Sequence, residues 1–314
     1  MARDFPNDSW ALILGGSSGF GLATAQKLAE KGMNLLIVHR DRRSAMKNIE
    51  PEFEKLRGIA PAMKTWNVDA IAADKRDGVL EEIKQTLGDS GCVRVLLHSI
   101  AFGNLKLIAP EKIVPRTAGN SLAEKLGVDG EALADAADSL LAEGEDGLHT
   151  VTHPAVYGDR YLDEEDFART ILSMGTSLLG WTQGLYSRGL FADDARVFGL
   201  TSEGNEVAWK GYAAVSAAKV ALEALCRSIA TEFGPHGVRC NIIQAGVTET
   251  PALAAIPGSD ILKAQARLRN PMGRLTLPRD VANVIYLLSL EEAAWINGDV
   301  IRVDGGEHIS GATR

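Results

Sequence analysis

The chain is poor in cysteine and in positive charge, and it has no long apolar run. Its three cysteines, Cys92, Cys226 and Cys240, are odd in number and far apart, which excludes a disulfide framework and favours reduced core residues in a cytoplasmic protein. No apolar run approaches the roughly 18 residues that a bilayer span needs, so we expect no membrane segment and no signal peptide. A formal net charge of −8 disfavours nucleic acid or anionic membrane as a partner.

Apolar strand patterns alternate with helical patterns along most of the chain. Continuous apolar runs such as 10–14, 34–39 and 93–98 are typical of parallel strands that helices cover on both faces. The predicted strands are residues 10–14, 34–39, 62–67, 93–98, 195–200, 238–243 and 299–303, and the predicted helices are 22–32, 44–57, 71–88, 166–191, 206–233 and 278–290. With 46% hydrophobic residues for the core, the sequence predicts one α/β domain over 1–314 with a seven-stranded parallel sheet.

Residues 104–160 interrupt this alternation after the fourth strand. Eight acidic residues lie between Glu124 and Asp146, in a part with some helical periodicity, and a loop-like part follows. The segment is either a solvated decoration or a lid, because ligands of open α/β sheets bind outside the carboxyl ends of the strands. His149 and His153 have helical metal-ligand spacing but lie in the loop-like part without an assured carboxylate partner, so we expect no metal site.

A glycine-rich turn joins the first strand to the first helix in LILGGSSGFGLATA. Gly15, Gly16, Gly19 and Gly21 let the backbone approach a pyrophosphate, and the helix N-terminus offers it free N–H groups and a positive dipole. In this strand–turn–helix context the glycines predict a dinucleotide site.

The residues after the second strand bear on the choice of dinucleotide. An NAD site usually presents a carboxylate at this strand end, where the chain has His39. Arg40, helped by Arg42 or Arg43, suits the 2′-phosphate of NADP, whereas Asp41 could instead hold a ribose hydroxyl. We therefore expect NADPH, with NADH as the alternative.

Taken together, these motifs resemble the short-chain dehydrogenase/reductase superfamily over nearly the whole chain outside the insertion. Gly15-x3-Gly19-x-Gly21 is similar to its nucleotide signature, with Leu14 where a threonine is usual. HSIAFG (98–103) stands where the superfamily has Asn-Asn-Ala-Gly. That replacement, with Tyr-x6-Lys in place of Tyr-x3-Lys, resembles the divergent branch that contains the enoyl-[acyl-carrier-protein] reductases of type II fatty acid synthesis.

The resemblance implies a Rossmann-type doubly wound sheet and a homotetramer in which helices 164–190 and 206–233 pack across subunits. Asn67 and Val68 resemble the adenine-pocket pair, and QAGVTETPA (244–252) resembles the loop that contacts nicotinamide and pyrophosphate. From the motifs and the resemblance together, the expected cofactor-binding residues are Gly15, Ser17, Ser18, Gly19, Phe20, Gly21, His39, Arg40, Arg43, Asn67, Val68, Ser99, Ile100, Ala101, Lys219, Gly246, Thr248 and Thr250.

The expected catalytic residues are Tyr212, Lys219 and Ser202. Seven helical residues turn about 700°, which puts Tyr212 and Lys219 on one face, about 10.5 Å apart along the axis. Ser202 lies where ketone-reducing members carry a catalytic serine, and it either contacts the substrate carbonyl or only ends a strand.

The four-residue spacing of the superfamily would place the phenol at Val215, which has no proton to give. The donor is therefore displaced toward the helix N-terminus, away from the nicotinamide. A displaced donor suits enoyl thioester reduction, in which hydride reaches C3 while negative charge develops on the C1 oxygen. Tyr212 would donate to that oxygen, and Lys219 would bind the nicotinamide ribose and ease loss of the phenolic proton.

The leading interpretation is an NADPH-dependent reductase of trans-2-enoyl thioesters carried by acyl carrier protein. A ketone, an enoyl-CoA or a secondary-metabolite enone is the alternative substrate, because an acidic insertion near the substrate would repel an acidic carrier protein. A nucleotide-binding sensor without catalysis is a third hypothesis, and the intact Tyr212 and Lys219 argue against it.

Overall fold

Seven parallel strands form one sheet in the computed structural model, which describes residues 4–112, 116–158 and 160–311. The strands are β1 (Ser9–Leu14), β2 (Asn34–His39), β3 (Met63–Asn67), β4 (Cys92–His98), β5 (Phe191–Ser202), β6 (Val238–Ala245) and β7 (Val300–Val303). Their order in the sheet is β3-β2-β1-β4-β5-β6-β7, and every neighbouring pair is parallel. The predicted doubly wound, Rossmann-type fold is confirmed.

Helices cover both faces of the sheet. They are α1 (Gly19–Glu30), α2 (Met46–Ile59), α3 (Ala73–Leu87), α4 (Thr117–Leu126), α5 (Gly130–Glu143), α6 (Glu164–Ile171), α7 (Ser177–Ser187), α8 (Ala213–Phe233), α9 (Pro251–Ala254), α10 (Ser259–Arg269) and α11 (Pro278–Leu288). One core cluster joins apolar residues of α1, α2 and α11 to the sheet, and the other joins α3, α7 and α8 to it. Every residue of β1 and β2 is buried, which is why these strands read as continuous apolar runs.

The long helix predicted over 166–191 is a continuous helical segment with one irregular turn. It begins at Glu164 as α6, passes through a π-helical turn at Leu172–Thr176, and ends at Ser187 as α7. π-Helical turns inside α-helices occur often at functional sites, and Met174 of this turn lines the cavity described below.

The helix predicted over 206–233 begins seven residues later than expected, at Ala213. Gly211 has φ +71°, a left-handed conformation that cannot continue a right-handed helix. Tyr212 is the N-cap, and its carbonyl accepts the first helical hydrogen bond, from the Ser216 N–H. The prediction of Tyr212 inside the helix is therefore wrong, although the residue directly precedes the first turn.

Two further sequence predictions need correction. Cys92 is only partly buried because it is the first residue of β4, whereas Cys226 and Cys240 are buried as expected. Helices α9 and α10, in residues 251–269, were not predicted; α9 has only four residues, and the buried residues of α10 are the small Ala264 and Ala266.

The insertion consists of α4, α5 and a short 3₁₀ turn, Asp146–Thr150, followed by loop. It lies against α10, where the guanidinium of Arg267 donates three hydrogen bonds of 2.6–3.0 Å to the carboxylate of Asp146. Of the helices in the described ranges, none combines the length and apolarity that crossing a membrane requires.

Candidate functional site

A cavity of about 220 Å³ opens at the carboxyl ends of the central strands. Gly15 follows β1, Ser99 follows β4, Ser202 ends β5 and Gly246 follows β6, and all four line this cavity. Neighbouring parallel strands end at one edge of a sheet, so residues far apart in sequence converge there.

Glycine is required at two positions of the turn after β1. Gly15 has φ +85°, and a Cβ there would lie 2.5 Å from the carbonyl oxygen of Ser99. A Cβ on Gly21 would lie only 2.2 Å from the carbonyl oxygen of Gly15. Side chains are thus excluded at these two positions by the close approach of neighbouring backbone.

The N-terminus of α1 forms one wall of the cavity and is free to hold an anion. Ser18 is the N-cap, its side chain makes no capping hydrogen bond, and the first turn carries no acidic residue. Ser18, Gly19 and Phe20 line the cavity, as does Thr250, whose Cγ2 would lie 3.4 Å from a Cβ on Gly19. A pyrophosphate fits this wall, because its charge would meet the unsatisfied N–H groups and positive end of α1.

Tyr212 and Ser202 meet inside the cavity. The Oη of Tyr212 and the Oγ of Ser202 are 3.3 Å apart and share a hydrogen bond. Burial raises the pKa of the Tyr212 phenol above its ordinary value, and the Ser202 hydrogen bond partly offsets this. The phenol is therefore neutral near pH 7 and able to donate its proton.

The position of the Tyr212 ring depends on its neighbours. A Cβ on Gly204 would lie 2.4 Å from Cε1 of Tyr212, so a side chain at 204 would displace the ring. Trp209 packs on the other side, with ring centroids 5.5 Å apart. These contacts fix the phenol before a substrate arrives.

Lys219 lies at the base of the cavity. Its Nζ is buried and donates a 2.8 Å hydrogen bond to the carbonyl oxygen of Leu200. Burial lowers the pKa of Lys219 to about 8, against an opposing effect of Glu223. The ammonium thus retains its proton at neutral pH, but less firmly than an exposed lysine.

His98, the first residue of the HSIAFG segment, has a structural contact that the sequence did not predict. The Ser177 hydroxyl donates to the Ser173 carbonyl, and its oxygen lies 2.8 Å from the His98 Nε2. Burial, more than the nearby Lys219 charge, lowers the pKa of His98 to about 3, so the ring is neutral. His98 therefore fixes the end of β4 to α7.

Beyond the glycine turn, the residues after β2 and β3 form the edge at which we expect the adenosine. His39 Nδ1 lies 2.9 Å from Asp41 Oδ2, so this carboxylate already has a partner. The backbone of Asp41 also exchanges two 3.0 Å hydrogen bonds with the side chain of Asn67. The arrangement holds the loop after β2 against the end of β3.

Arg40 and Phe102 lie together at this edge. The Arg40 guanidinium is 4.4 Å from the Phe102 ring centroid and donates a 2.8 Å hydrogen bond to Asp69. Arg169 of α6 lies on the same ring, 5.3 Å from its centroid. Phe102 is exposed and absent from the cavity wall.

The predicted site residues divide into two groups. Those in the wall of the cavity are Gly15, Ser18, Gly19, Phe20, Ser99, Ile100, Ala101, Ser202, Tyr212, Lys219, Gly246, Thr248 and Thr250. Those outside the wall are Ser17, Gly21, His39, Arg40, Arg43, Asn67 and Val68. Gly21 packs on the turn itself, and the other members of the second group follow or end β1, β2 and β3.

Sequence reasoning missed two acidic residues in the wall, Glu203 and Glu307. Both are largely buried, and nothing in the sequence separates them from solvated glutamates. It also missed the apolar part of the wall, which is formed mainly by Leu105, Met174, Trp209, Val215, Leu253, Ile256 and Leu262.

Two family models match the chain. The model described as enoyl-(acyl carrier protein) reductase matches residues 125–308, and the model described as short chain dehydrogenase matches residues 9–106.

Similar proteins include several oxidoreductases. A (3R)-3-hydroxyacyl-CoA dehydrogenase of Canis lupus familiaris is 24% identical over 301 residues, covering 95% of this chain and 96% of that protein. A probable 2,4-dienoyl-CoA reductase of Bacillus subtilis (strain 168) is 27% identical over 306 residues, covering 95% and 96%.

A crystal structure of the Bacillus cereus enoyl-acyl carrier protein reductase with NADP⁺ and an indole naphthyridinone has the same fold. Its TM-score is 0.73 at 19% identity, covering 98% of this chain and 99% of that one. Through its family matches, the chain belongs to the short-chain dehydrogenase/reductase superfamily of nicotinamide-nucleotide oxidoreductases, within which it resembles the enoyl-(acyl carrier protein) reductases.

Proposed function

We propose that the protein is an NADPH-dependent reductase of the C2–C3 double bond of trans-2-enoyl thioesters, acting on acyl carrier protein substrates in cytoplasmic fatty acid synthesis. The observation that carries this proposal is a buried phenol, Tyr212, at the N-terminus of α8 in an otherwise largely apolar cavity. Val215, three residues further along, occupies the wall with a side chain that cannot donate a proton. Tyr212, which is the one tyrosine among the described residues of the wall, is thus displaced from the position that serves ketone reduction.

The cavity residues would divide the work as follows. The cofactor, held by the glycine turn and the α1 N-terminus, supplies a hydride when bound. Tyr212 donates its hydrogen bond, and then its proton, to the thioester oxygen as negative charge develops there, and the resulting enol tautomerises so that the proton ends on C2. The Lys219 ammonium stabilises the tyrosinate that remains, and the apolar wall excludes water from the reacting chain.

The function is tested by comparing two thioesters at equal concentration. Crotonyl and acetoacetyl thioesters of acyl carrier protein and of CoA are each incubated with NADPH, and the loss of absorbance at the nicotinamide band is followed. We expect turnover of the crotonyl carrier thioester. Turnover of the acetoacetyl compounds alone would overturn the enoyl proposal.

Ketone reduction is the second candidate, and one contact favours it. The Ser202 Oγ lies 3.3 Å from the Tyr212 Oη, so both hydroxyls can reach one substrate oxygen. A serine–tyrosine pair of this kind suits a carbonyl carbon that receives hydride and whose oxygen receives the proton. The acetoacetyl substrates of the same assay distinguish the two reactions.

We propose NADPH rather than NADH because of the partners that the charged residues after β2 have in the structure. The Asp41 carboxylate, which would hold a ribose hydroxyl in an NAD site, is paired with His39. Arg40, Arg42 and Arg43 provide three guanidiniums in the same loop, of which Arg40 is paired with Asp69 while Arg42 and Arg43 are exposed. A 2′-phosphate is better matched to this charge than a hydroxyl.

Replacing Arg40 by glutamine is expected to raise the KM for NADPH about 10- to 100-fold, because a hydrogen bond to a charged group contributes about 1.5–3 kcal/mol. The KM for NADH should stay within about twofold of the wild-type value, since NADH has no 2′-phosphate. Arg57→Gln, which removes an exposed arginine paired only with Glu50 and Glu54, is the matched control. Equal losses for NADH and NADPH would contradict the assignment.

The acids of the insertion bear on the carrier protein. Asp129 caps α5, and Asp146 is bound to Arg267. Glu131 and Asp138 are both hydrogen-bonded to His153. Many of these acidic side chains thus have hydrogen-bond or ion-pair partners within the protein. This weakens the objection that the insertion would repel an acidic carrier protein.

The insertion is proposed to act as a lid over the substrate end of the cavity. Leu105 lines the cavity, and the Tyr157 hydroxyl donates a 3.2 Å hydrogen bond to the carbonyl of Lys210, two residues before Tyr212.

The homotetramer is proposed on a different surface, where Leu172 and Val220 are exposed apolar residues on the two long helices.

A further inference from the structure

Three side chains that are remote in sequence form one ionic cluster beside the cavity. The guanidinium of Arg269, the last residue of α10, donates to both carboxylate oxygens of Glu203, one of them at 2.7 Å. Its Nη2 also donates a 3.2 Å hydrogen bond to Glu307. Glu203 and Glu307 line the cavity, whereas Arg269 lies behind them.

Glu307 holds the loop that follows β6. Its two carboxylate oxygens each lie 3.3 Å from the backbone N of Val247, whose N–H donates to them. A Cβ on Gly246 would lie 2.9 Å from the Glu307 Oε2, so the carboxylate occupies the space beside that glycine. Gly246, Val247 and Thr248 all line the cavity, and their position therefore depends on Glu307.

Glu203 holds the other side of the cavity. It directly follows Ser202, whose hydroxyl is hydrogen-bonded to Tyr212. Arg269 thus joins the end of β5 to the loop after β6 through its two carboxylate partners. It also anchors the C-terminal end of α10, a helix whose Leu262 lines the cavity.

The cluster carries more negative than positive charge. One guanidinium faces two carboxylates, of which Glu307 is almost completely buried. The remaining neighbour is His308, whose Nδ1 lies 3.7 Å from Glu203 and whose Nε2 lies 3.5 Å from Glu206. Burial raises the pKa of Glu307, and the Arg269 charge acts against this rise. Loss of Arg269 would leave two carboxylates uncompensated at the cavity wall.

We propose that Arg269 is a positioning residue, which through Glu203 and Glu307 sets the distance between the Ser202–Tyr212 pair and the cofactor-binding loop 246–250. The proposal rests on the proposed binding of the cofactor in this cavity, but not on the identity of the substrate. Arg269 is not among the residues that line the cavity, so its effect passes through the Val247 N–H and the backbone after Ser202.

The experiment measures NADPH affinity by fluorescence titration, separately from turnover. Arg269→Gln is expected to raise the Kd for NADPH about tenfold or more, because ionised and unpaired carboxylates disturb the loop. Adding Glu307→Gln to this variant should restore the Kd to within about threefold of wild type, since the glutamine oxygen still accepts from Val247 without a charge. In Arg269→Gln alone, affinity should improve as the pH falls and Glu307, whose pKa is raised by burial, gains a proton.

The matched control is Arg188→Gln. Arg188 also bridges two carboxylates, Asp77 and Glu81, but it joins α3 to the end of α7 away from the cavity. It should leave the Kd for NADPH unchanged. If Arg269→Gln behaves like Arg188→Gln, or if Glu307→Gln fails to restore affinity, the positioning role is wrong.

A second pair of variants covers the case in which Arg269→Gln does not fold. Glu307→Gln alone keeps an acceptor for the Val247 N–H, whereas Glu307→Leu removes it. We expect Glu307→Gln to keep the wild-type Kd for NADPH and Glu307→Leu to raise that Kd about tenfold. Equal affinity in the two variants would overturn the proposal whatever substrate the enzyme reduces.

Discussion

Replacement of Tyr212 by phenylalanine is expected to lower kcat by about 10²- to 10⁴-fold, the usual contribution of a positioned general acid. The ring would remain between Trp209 and Gly204, so the packing of the cavity should be preserved. Only the hydroxyl is lost, and with it the proton for the substrate oxygen. Ser202 would keep its place but would lack its 3.3 Å partner.

The measurement is steady-state turnover of a crotonyl thioester with NADPH, together with the Kd for NADPH. Tyr186→Phe is the control, because Tyr186 is exposed on α7 and its hydroxyl is hydrogen-bonded to His236, away from the cavity. The control should retain wild-type kcat, and both variants should bind NADPH normally. If Tyr212→Phe turned over at the wild-type rate, Tyr212 would not be the proton donor, whereas NADPH binding without turnover in the wild type would favour a nucleotide-binding sensor.

The second large effect is expected from Gly21→Ala in the turn after β1. The added Cβ would lie 2.2 Å from the carbonyl oxygen of Gly15, a distance that neither backbone can relieve without moving. Overpacking of this kind costs about 1–3 kcal/mol or more. Because the strain falls on the turn that forms the cofactor wall, we expect NADPH affinity to fall by about 100-fold or more, with a lower Tm.

Gly78→Ala is the matched control for this substitution. Gly78 lies in the middle of α3, and a Cβ there would meet no atom within 4 Å. Alanine should therefore stabilise the protein by about 0.5–1 kcal/mol and leave NADPH binding unchanged. Thermal denaturation and fluorescence titration check both variants. Equal NADPH affinity in Gly21→Ala and wild type would refute the requirement for glycine.

The sheet could be predicted from the sequence because strands that are buried on both faces consist mostly of consecutive apolar residues. β1 and β2 are buried throughout and apolar except at Ser9, Asn34 and His39, and helices of ordinary length separate the strands. The wall formed by Gly15 and Gly19 could also be predicted, because a glycine-rich turn between a strand and a helix is typical of a dinucleotide site.

The rest of the site depends on contacts that no local pattern records. Glu203, Arg269 and Glu307 are far apart along the chain and meet only because β5, α10 and the residues after β7 end at one edge of the sheet. Similarly, helical periodicity carries no mark of the left-handed Gly211, which delays the start of α8 until after Tyr212. The exposed position of Phe102 follows from its neighbours Arg40 and Arg169 rather than from its own apolar character.

The location of the insertion has a consequence for the thermodynamics of chain closure. It lies in the crossover between β4 and β5, two strands that must pair for the sheet to form. The entropy lost on closing a loop grows only with the logarithm of its length, about 0.6 kcal/mol for each doubling. The insertion more than doubles this crossover, so the sheet loses about 1 kcal/mol at most through the added length. Its contact with α10 through Asp146 and Arg267 can offset a loss of that size. Formation of the sheet therefore places little constraint on the length of this segment. Its sequence can vary to suit a ligand at the cavity mouth.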